Sequence, residues 1–125
     1  MAILRTCYDH LAGSIAVELL QALIRKEWLR AAPDGYDVTR GGKSALLAIG
    51  VDVTNARTRH RAFARPCLDR TARQPHLAGT LGASLAEAFV TNDWVRPTTT
   101  HRGMVLTPAG YENFSETFGL IANHS

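Results

Sequence analysis

Cys7, Asp9 and His10 stand close together near the start of the chain, and Cys67, Asp69 and His76 follow in the same order farther along. Thiolate sulfur and imidazole nitrogen are the donors that Zn²⁺ and related soft divalent ions accept, four at a time in a tetrahedron. Cys7 and His10 are three apart and would lie on one side of a helical turn. Two ligands do not close a site, but packing the two clusters about a pseudo-twofold axis would add Cys67 and His76. The result would be a Cys₂His₂ set for a thiophilic divalent metal, zinc or cadmium. Asp9 and Asp69 would then serve as oxygen ligands or orient the histidines from behind. The same residues have a plain structural alternative, because cysteine buries readily, aspartate caps helix starts and histidine bonds nearby backbone. Six extra residues before His76 also change its spacing from Cys67 relative to the first cluster.

Cys, His and Asp can also form a nucleophilic triad. A catalytic set is ordinarily single, whereas this one is duplicated, and neither a Gly-rich phosphate loop nor a paired-carboxylate motif accompanies it. The expectation is therefore a protein that is not an enzyme.

Two further groups of residues have binding chemistry. Arg57, Arg59, Arg61, Arg65, Arg70 and Arg73, with His60, face the single acid Asp69 in that stretch. Such a segment is either a solvated connector or a contact for a polyanion. Arg102, near the tip of the polar run Pro97 to Gly103, would join Arg57, Arg59, Arg61 and Arg65 as a nucleic-acid contact, since phosphate contacts need cations. The corresponding run in the first half, Ala31 to Gly35, carries Asp34 and no base. Trp28 and Trp94 are either core plugs or the walls of an apolar effector pocket between the halves.

The elements that must hold these residues are repeated. HLAGSIAVELLQALIRKEWLR, from His10 to Arg30, aligns without a gap on HLAGTLGASLAEAFVTNDWVR, from His76 to Arg96, with 8 of 21 positions identical. YDVTRGG then matches MVLTPAG. Leu11, Ile15, Leu19 and Leu23, like Leu77, Leu81, Leu85 and Phe89, recur every four residues and predict a helix. Trp28 to Arg30 and Tyr36 to Val38 around Pro33-Asp34-Gly35 predict a β-hairpin. Thr39 and Thr107 are N-caps of a shorter second helix, with Pro108 at its favoured first position and Gly50 and Gly119 as stops. Leu46, Leu47 and Ile49, and in the second copy Phe114, Phe118 and Leu120, would be its buried side. The expected fold is α+β but mainly helical, a tandem pseudo-symmetric pair of helix-hairpin-helix units. Residues 1–50 would form the first unit, 51–66 a basic connector and 67–125 the second unit.

A helix, a hairpin opening on Trp-Leu-Arg or Trp-Val-Arg, and then Val-Thr or Leu-Thr leading a small helix with Gly three residues after the Thr resemble the second half of a winged-helix DNA-binding domain, the hairpin being the wing. More specifically, RTCYDHLAG, FARPCLD, PHLAG and LTPAG resemble the carboxy-terminal region of bacterial ArsR-type transcriptional regulators, and the resemblance runs from Arg5 to about Gly119. At Arg70 the chain departs from the pattern, where an aromatic residue usually follows the second Cys-Leu-Asp. The resemblance implies degenerate winged-helix-like units, transcriptional regulation, a homodimer and, in some members, a response to metal ions. It also implies that DNA is read mainly by an amino-terminal domain absent from these residues. The expected role is a regulatory and oligomerisation domain; direct DNA binding by the arginines and the second wing is the rival.

Composition bounds the rest. A chain of 125 residues suffices for one core or two intimate halves, and 46% hydrophobic with 20% charged residues is an ordinary globular balance. Net charge is +3 and the pI about 9.2, so the positive character is local rather than global. No apolar run approaches the roughly 18 residues of a membrane span, and the start lacks a signal-peptide core. The expectation is a cytoplasmic protein with no membrane partner and with both thiols reduced.

Overall fold

The computed structural model describes residues 4–59 and 62–120. The first unit runs β1 (Arg5–Cys7), β2 (His10–Ala12), α1 (Ser14–Arg25), β3 (Leu29–Ala32), β4 (Gly35–Val38) and α2 (Arg40–Ala48). A one-turn helix, α3 (Val53–Arg57), follows. The second unit repeats the order as β5 (Arg65–Leu68), β6 (Pro75–Ala78), α4 (Gly79–Thr91), β7 (Val95–Pro97), β8 (Met104–Leu106) and α5 (Pro108–Phe118).

The expectation of a mainly helical fold of helix-hairpin-helix units is wrong. Helix takes 43% and strand 25%, so the protein is a balanced α+β fold with four two-stranded antiparallel sheets among the described residues. The miss has one source: each unit opens with a hairpin, not with a helical turn. Leu11 and Leu77, the first members of the two four-residue series, lie in β2 and β6. The chain bends from strand into helix at Gly13 (φ 97°) and Gly79 (φ 82°), a left-handed backbone region open to glycine at little cost. At Gly79 a Cβ would also strike the Ala62 and Phe63 carbonyl oxygens. Periodicity alone therefore runs one turn too far toward the N-terminus in both copies.

Downstream the local reading is closer. The Thr39 and Thr107 side chains accept hydrogen bonds from the Gly42 and Gly110 amides at 2.9 Å each, capping α2 and α5. Both hydroxyls also donate, to the Glu27 and Asp93 carbonyls at 2.6 Å, which ties each cap to the end of the preceding long helix. Gly119 ends α5 in the left-handed conformation. In α2, however, only Leu46 of the expected apolar side is fully buried; Leu47 is 63% exposed and Ile49 is half-buried.

The two units interlock. β6 packs mainly on α1, and β2 mainly on α4, so each opening hairpin lies on the other unit's long helix. The later hairpins cross over too. Tyr36 of β4 donates its amide to Ala64 at 3.0 Å beside β5, while the Thr6 amide of β1 donates to Arg102 at 2.9 Å and the Met104 amide to Leu4 at 3.1 Å. A single apolar core results, running from Leu4, Leu20 and Leu23 through Leu81 and Phe89 to Phe114 and Phe118. No described helix is long and apolar enough to cross a membrane.

Candidate metal centre

The two opening hairpins place the Cys and His residues by register. Cys7 is the cross-strand partner of His10 in β1–β2, and Cys67 is the partner of His76 in β5–β6. The expected helical-turn pairing of Cys7 with His10 is thus replaced by a strand pairing. Directly opposed residues on an antiparallel pair hold their Cβ atoms about 4.5–5.5 Å apart, so thiol and imidazole meet on one face. The six extra residues before His76 lengthen only the β5–β6 loop; the Arg5↔Ala12 and Cys7↔His10 pairs have exact counterparts in Arg65↔Ala78 and Cys67↔His76.

Because β2 and β6 lie side by side, the two pairs converge. One donor atom from each of Cys7, His10, Cys67 and His76 lies within 4.8 Å of the other three. The histidines are buried and the cysteines half-buried. His10 and His76 point their Nε2 atoms at each other across 3.1 Å. Zinc–nitrogen bonds of about 2.0–2.1 Å put tetrahedral nitrogens roughly 3.3 Å apart, close to what is observed.

Behind each ring sits a carboxylate. Asp69 Oδ1 lies 3.2 Å from His76 Nδ1, and Asp9 Oδ1 lies 3.5 Å from His10 Nδ1. A carboxylate facing Nδ1 fixes the tautomer that leaves Nε2 unprotonated, the form that binds metal. Were both rings in that tautomer, two nitrogen lone pairs would face one another, and a shared proton or a cation would satisfy both. The aspartates thus face the ring nitrogens turned away from the four-donor cluster.

They are not equivalent. Asp69 is 0% exposed and accepts from the Gly13 amide at 2.7 Å, the Ala72 amide at 2.8 Å, the Thr71 amide at 3.0 Å and the Thr71 hydroxyl at 2.7 Å. Arg5 approaches it at 3.4 Å. Burial pushes this carboxyl upward, but those hydrogen bonds outweigh it and hold Asp69 well below the ordinary carboxylate range. Burial, with His10 beside it, pushes His76 down against the opposing pull of Asp69, which favours the neutral ring. Burial and then the adjacent Cys7 push the Cys67 thiol up. Ions that take thiolate ligands must displace that proton.

The other sequence candidates are dispersed. Arg57 pairs with exposed Asp37 and lies over the Phe63 ring at 4.2 Å. Arg59 lies two residues beyond α3 and Arg65 is exposed on β5. Arg61 and His60 fall outside the described residues. Arg102 sits in the β7–β8 turn with φ 60°, beside β1. Trp28 and Trp94 belong to one aromatic cluster: Trp28 meets Phe118 edge-on at 5.9 Å, and Trp94 stacks on Phe89 at 5.6 Å. Sequence reasoning overlooked Arg5 and the hydrogen bond that the Gly13 amide donates to Asp69. Arg5 is one strand position pair away from Cys7, a signal readable only once the hairpin is known.

No family model and no solved structure matches the chain. It is 35% identical over 106 residues, 85% of its own length, to the uncharacterized HTH-type transcriptional regulator YdfF of Bacillus subtilis (strain 168). The chain spans about half of that protein's length, 47%. This similarity relates the chain to a transcriptional regulator.

Proposed function

We propose that this chain is the regulatory, subunit-pairing region of an ArsR-type transcriptional regulator, and that it binds a thiophilic divalent metal, zinc or cadmium, through Cys7, His10, Cys67 and His76. The observation that carries the metal reading is the convergence of four soft donors, two from each unit, within 4.8 Å. The relationship to a transcriptional regulator supports the regulatory part. DNA would be read by a winged helix outside these residues, as the sequence resemblance implies.

When bound, such an ion would cross-link β1–β2 to β5–β6 and thereby fix how the two units meet. The protein's own groups supply the rest: Asp9 and Asp69 hold the rings, and the hairpin registers hold thiols beside imidazoles. A ligand biases a conformational equilibrium only through different affinity for its states. A four-donor site spanning two units has that property, since any shift between the hairpins pulls ligands away. Ion occupancy would in this way be coupled to the geometry of an attached DNA-binding domain.

Titration with Co²⁺ and Cd²⁺, followed by thiolate charge-transfer absorption, tests this. One ion per chain is expected, with binding lost in the Cys7→Ser/Cys67→Ser double variant. Absence of stoichiometric binding would overturn the metal reading. Direct DNA binding by this chain is the weaker reading, because Arg57 is already engaged with Asp37 and Phe63. Duplex DNA retained at low salt and released as salt rises would favour it.

A further inference from the structure

Beside the quartet lies an open cleft of about 730 Å³, onto which the thiol-bearing residues Cys7 and Cys67 open. Its arginines come from three separate elements: Arg5 from β1, Arg70 from the β5–β6 loop, and Arg102, with His101 next to it, from the β7–β8 turn. No acidic side chain lines it among the described residues. Arg5 is held by Asp69 and by the Thr71 hydroxyl at 3.2 Å. Arg70 and Arg102 have no carboxylate partner among the described residues, and both are exposed. The β7–β8 turn is pinned in place, because β1 bonds to it on both sides: the Thr6 amide to the Arg102 carbonyl and the Met104 amide to the Leu4 carbonyl.

We propose that this cleft binds a small organic anion, one carrying a carboxylate or phosphate head group. Guanidinium groups offer paired N–H donors that match the two oxygens of such a head group, and they remain charged at any physiological pH. Convergence of like charges on a concavity costs repulsion, which an anion relieves. The volume lies within the range of small-ligand sites, about 300–1,000 Å³. Concavity separates this case from a DNA contact, which needs cations on a surface that can follow a duplex.

The two units differ here in a telling way. At the tip of the β3–β4 hairpin, the counterpart of the Arg102 turn, stands Asp34. Among the described residues, Arg5, Arg70 and Arg102 line this cleft together, and the turn equivalent to that of Arg102 carries an acid instead. The cleft shares Cys7, Cys67 and His76 with the quartet, but none of its arginines is among the four donors.

Isothermal titration at constant ionic strength tests the proposal, using succinate and phenyl phosphate as probes and butane-1,4-diol as the neutral control. It is run on the metal-free and the zinc-treated chain, so that anion binding is read independently of metal binding. Expected is saturable, one-per-chain binding of at least one anion and none of the diol, weakened at least tenfold in the Arg70→Gln/Arg102→Gln double variant. Arg70→Lys/Arg102→Lys should fall between, since it keeps charge and loses the paired donors. The two anions distinguish a carboxylate from a phosphate ligand. No saturable binding of either, or binding unchanged in the Gln double variant, overturns the proposal. Retention of duplex DNA that requires Arg70 and Arg102 and resists competition by both anions also overturns it, in favour of a nucleic-acid contact.

Discussion

At Asp69 one buried carboxylate serves two units at once. It orients His76 within its own hairpin and accepts the Gly13 amide at the entrance to α1 in the other unit. Removing it would strand the buried Gly13 amide and the part-buried Thr71 and Ala72 amides, and an unsatisfied buried donor costs about 1–3 kcal/mol. Asp69→Ala is therefore expected to lower stability by about 3 kcal/mol or more, read by denaturant unfolding in the presence of a chelator. A loss under about 0.5 kcal/mol would show that the network relaxes freely. The same residue sets a pH dependence. Its folded-state pKa lies below its unfolded value, near 3.9, so its contribution is complete above the unfolded value and fades as pH falls toward the lower folded one. Acid unfolding of Asp69→Asn should accordingly depend less on pH below about 4 than that of the parent chain. Asp9 is half-exposed and 3.5 Å from its ring, so Asp9→Asn should weaken Cd²⁺ binding less than Asp69→Asn, for which a 10–100-fold loss is the usual scale.

Among the elements, the second helix of each unit shows how sequence and fold constrain one another. Gly42 and Gly110 stand three residues after the capping threonines, and a Cβ at either would drive into the carbonyl oxygen of Trp28 or Trp94. Gly41, its immediate neighbour, meets nothing within 4 Å. Gly41→Ala should thus stabilise by about 0.5–1 kcal/mol through helix propensity, while Gly42→Ala destabilises despite the same propensity gain. Thermal melts of the two variants check the opposite signs. The Thr caps, the β3–β4 hairpin and Gly119 were legible beforehand because turn and cap chemistry is local. The opening hairpins were not. Leu11 and Leu77 continue the helical spacing, and the three-residue strands are too short to show alternation; only pairing with distant strands defines them. The four donors were named from their types, but the reason they meet, cross-strand register in two adjacent hairpins, lies in tertiary structure.

For the molecule as a whole, the crossed packing of hairpins on helices makes the two copies depend on each other. Phe118, from the end of α5, contacts Trp28 of the first unit and Phe89 and Phe114 of its own. Phe118→Ala should cost about 3–5 kcal/mol. Near-ultraviolet signals from Trp28 and Trp94 should still be lost in one transition, whereas two separated transitions would show units that fold independently. The same crossing makes a shared metal centre possible, since neither hairpin alone has more than one thiol and one imidazole. The zinc K-edge absorption spectrum of the zinc-loaded chain tests that most directly. Two sulfur neighbours near 2.3 Å and two nitrogen neighbours at about 2.0–2.1 Å are predicted. A first shell of oxygen and nitrogen alone, or failure of the chain to retain zinc through gel filtration, would contradict it.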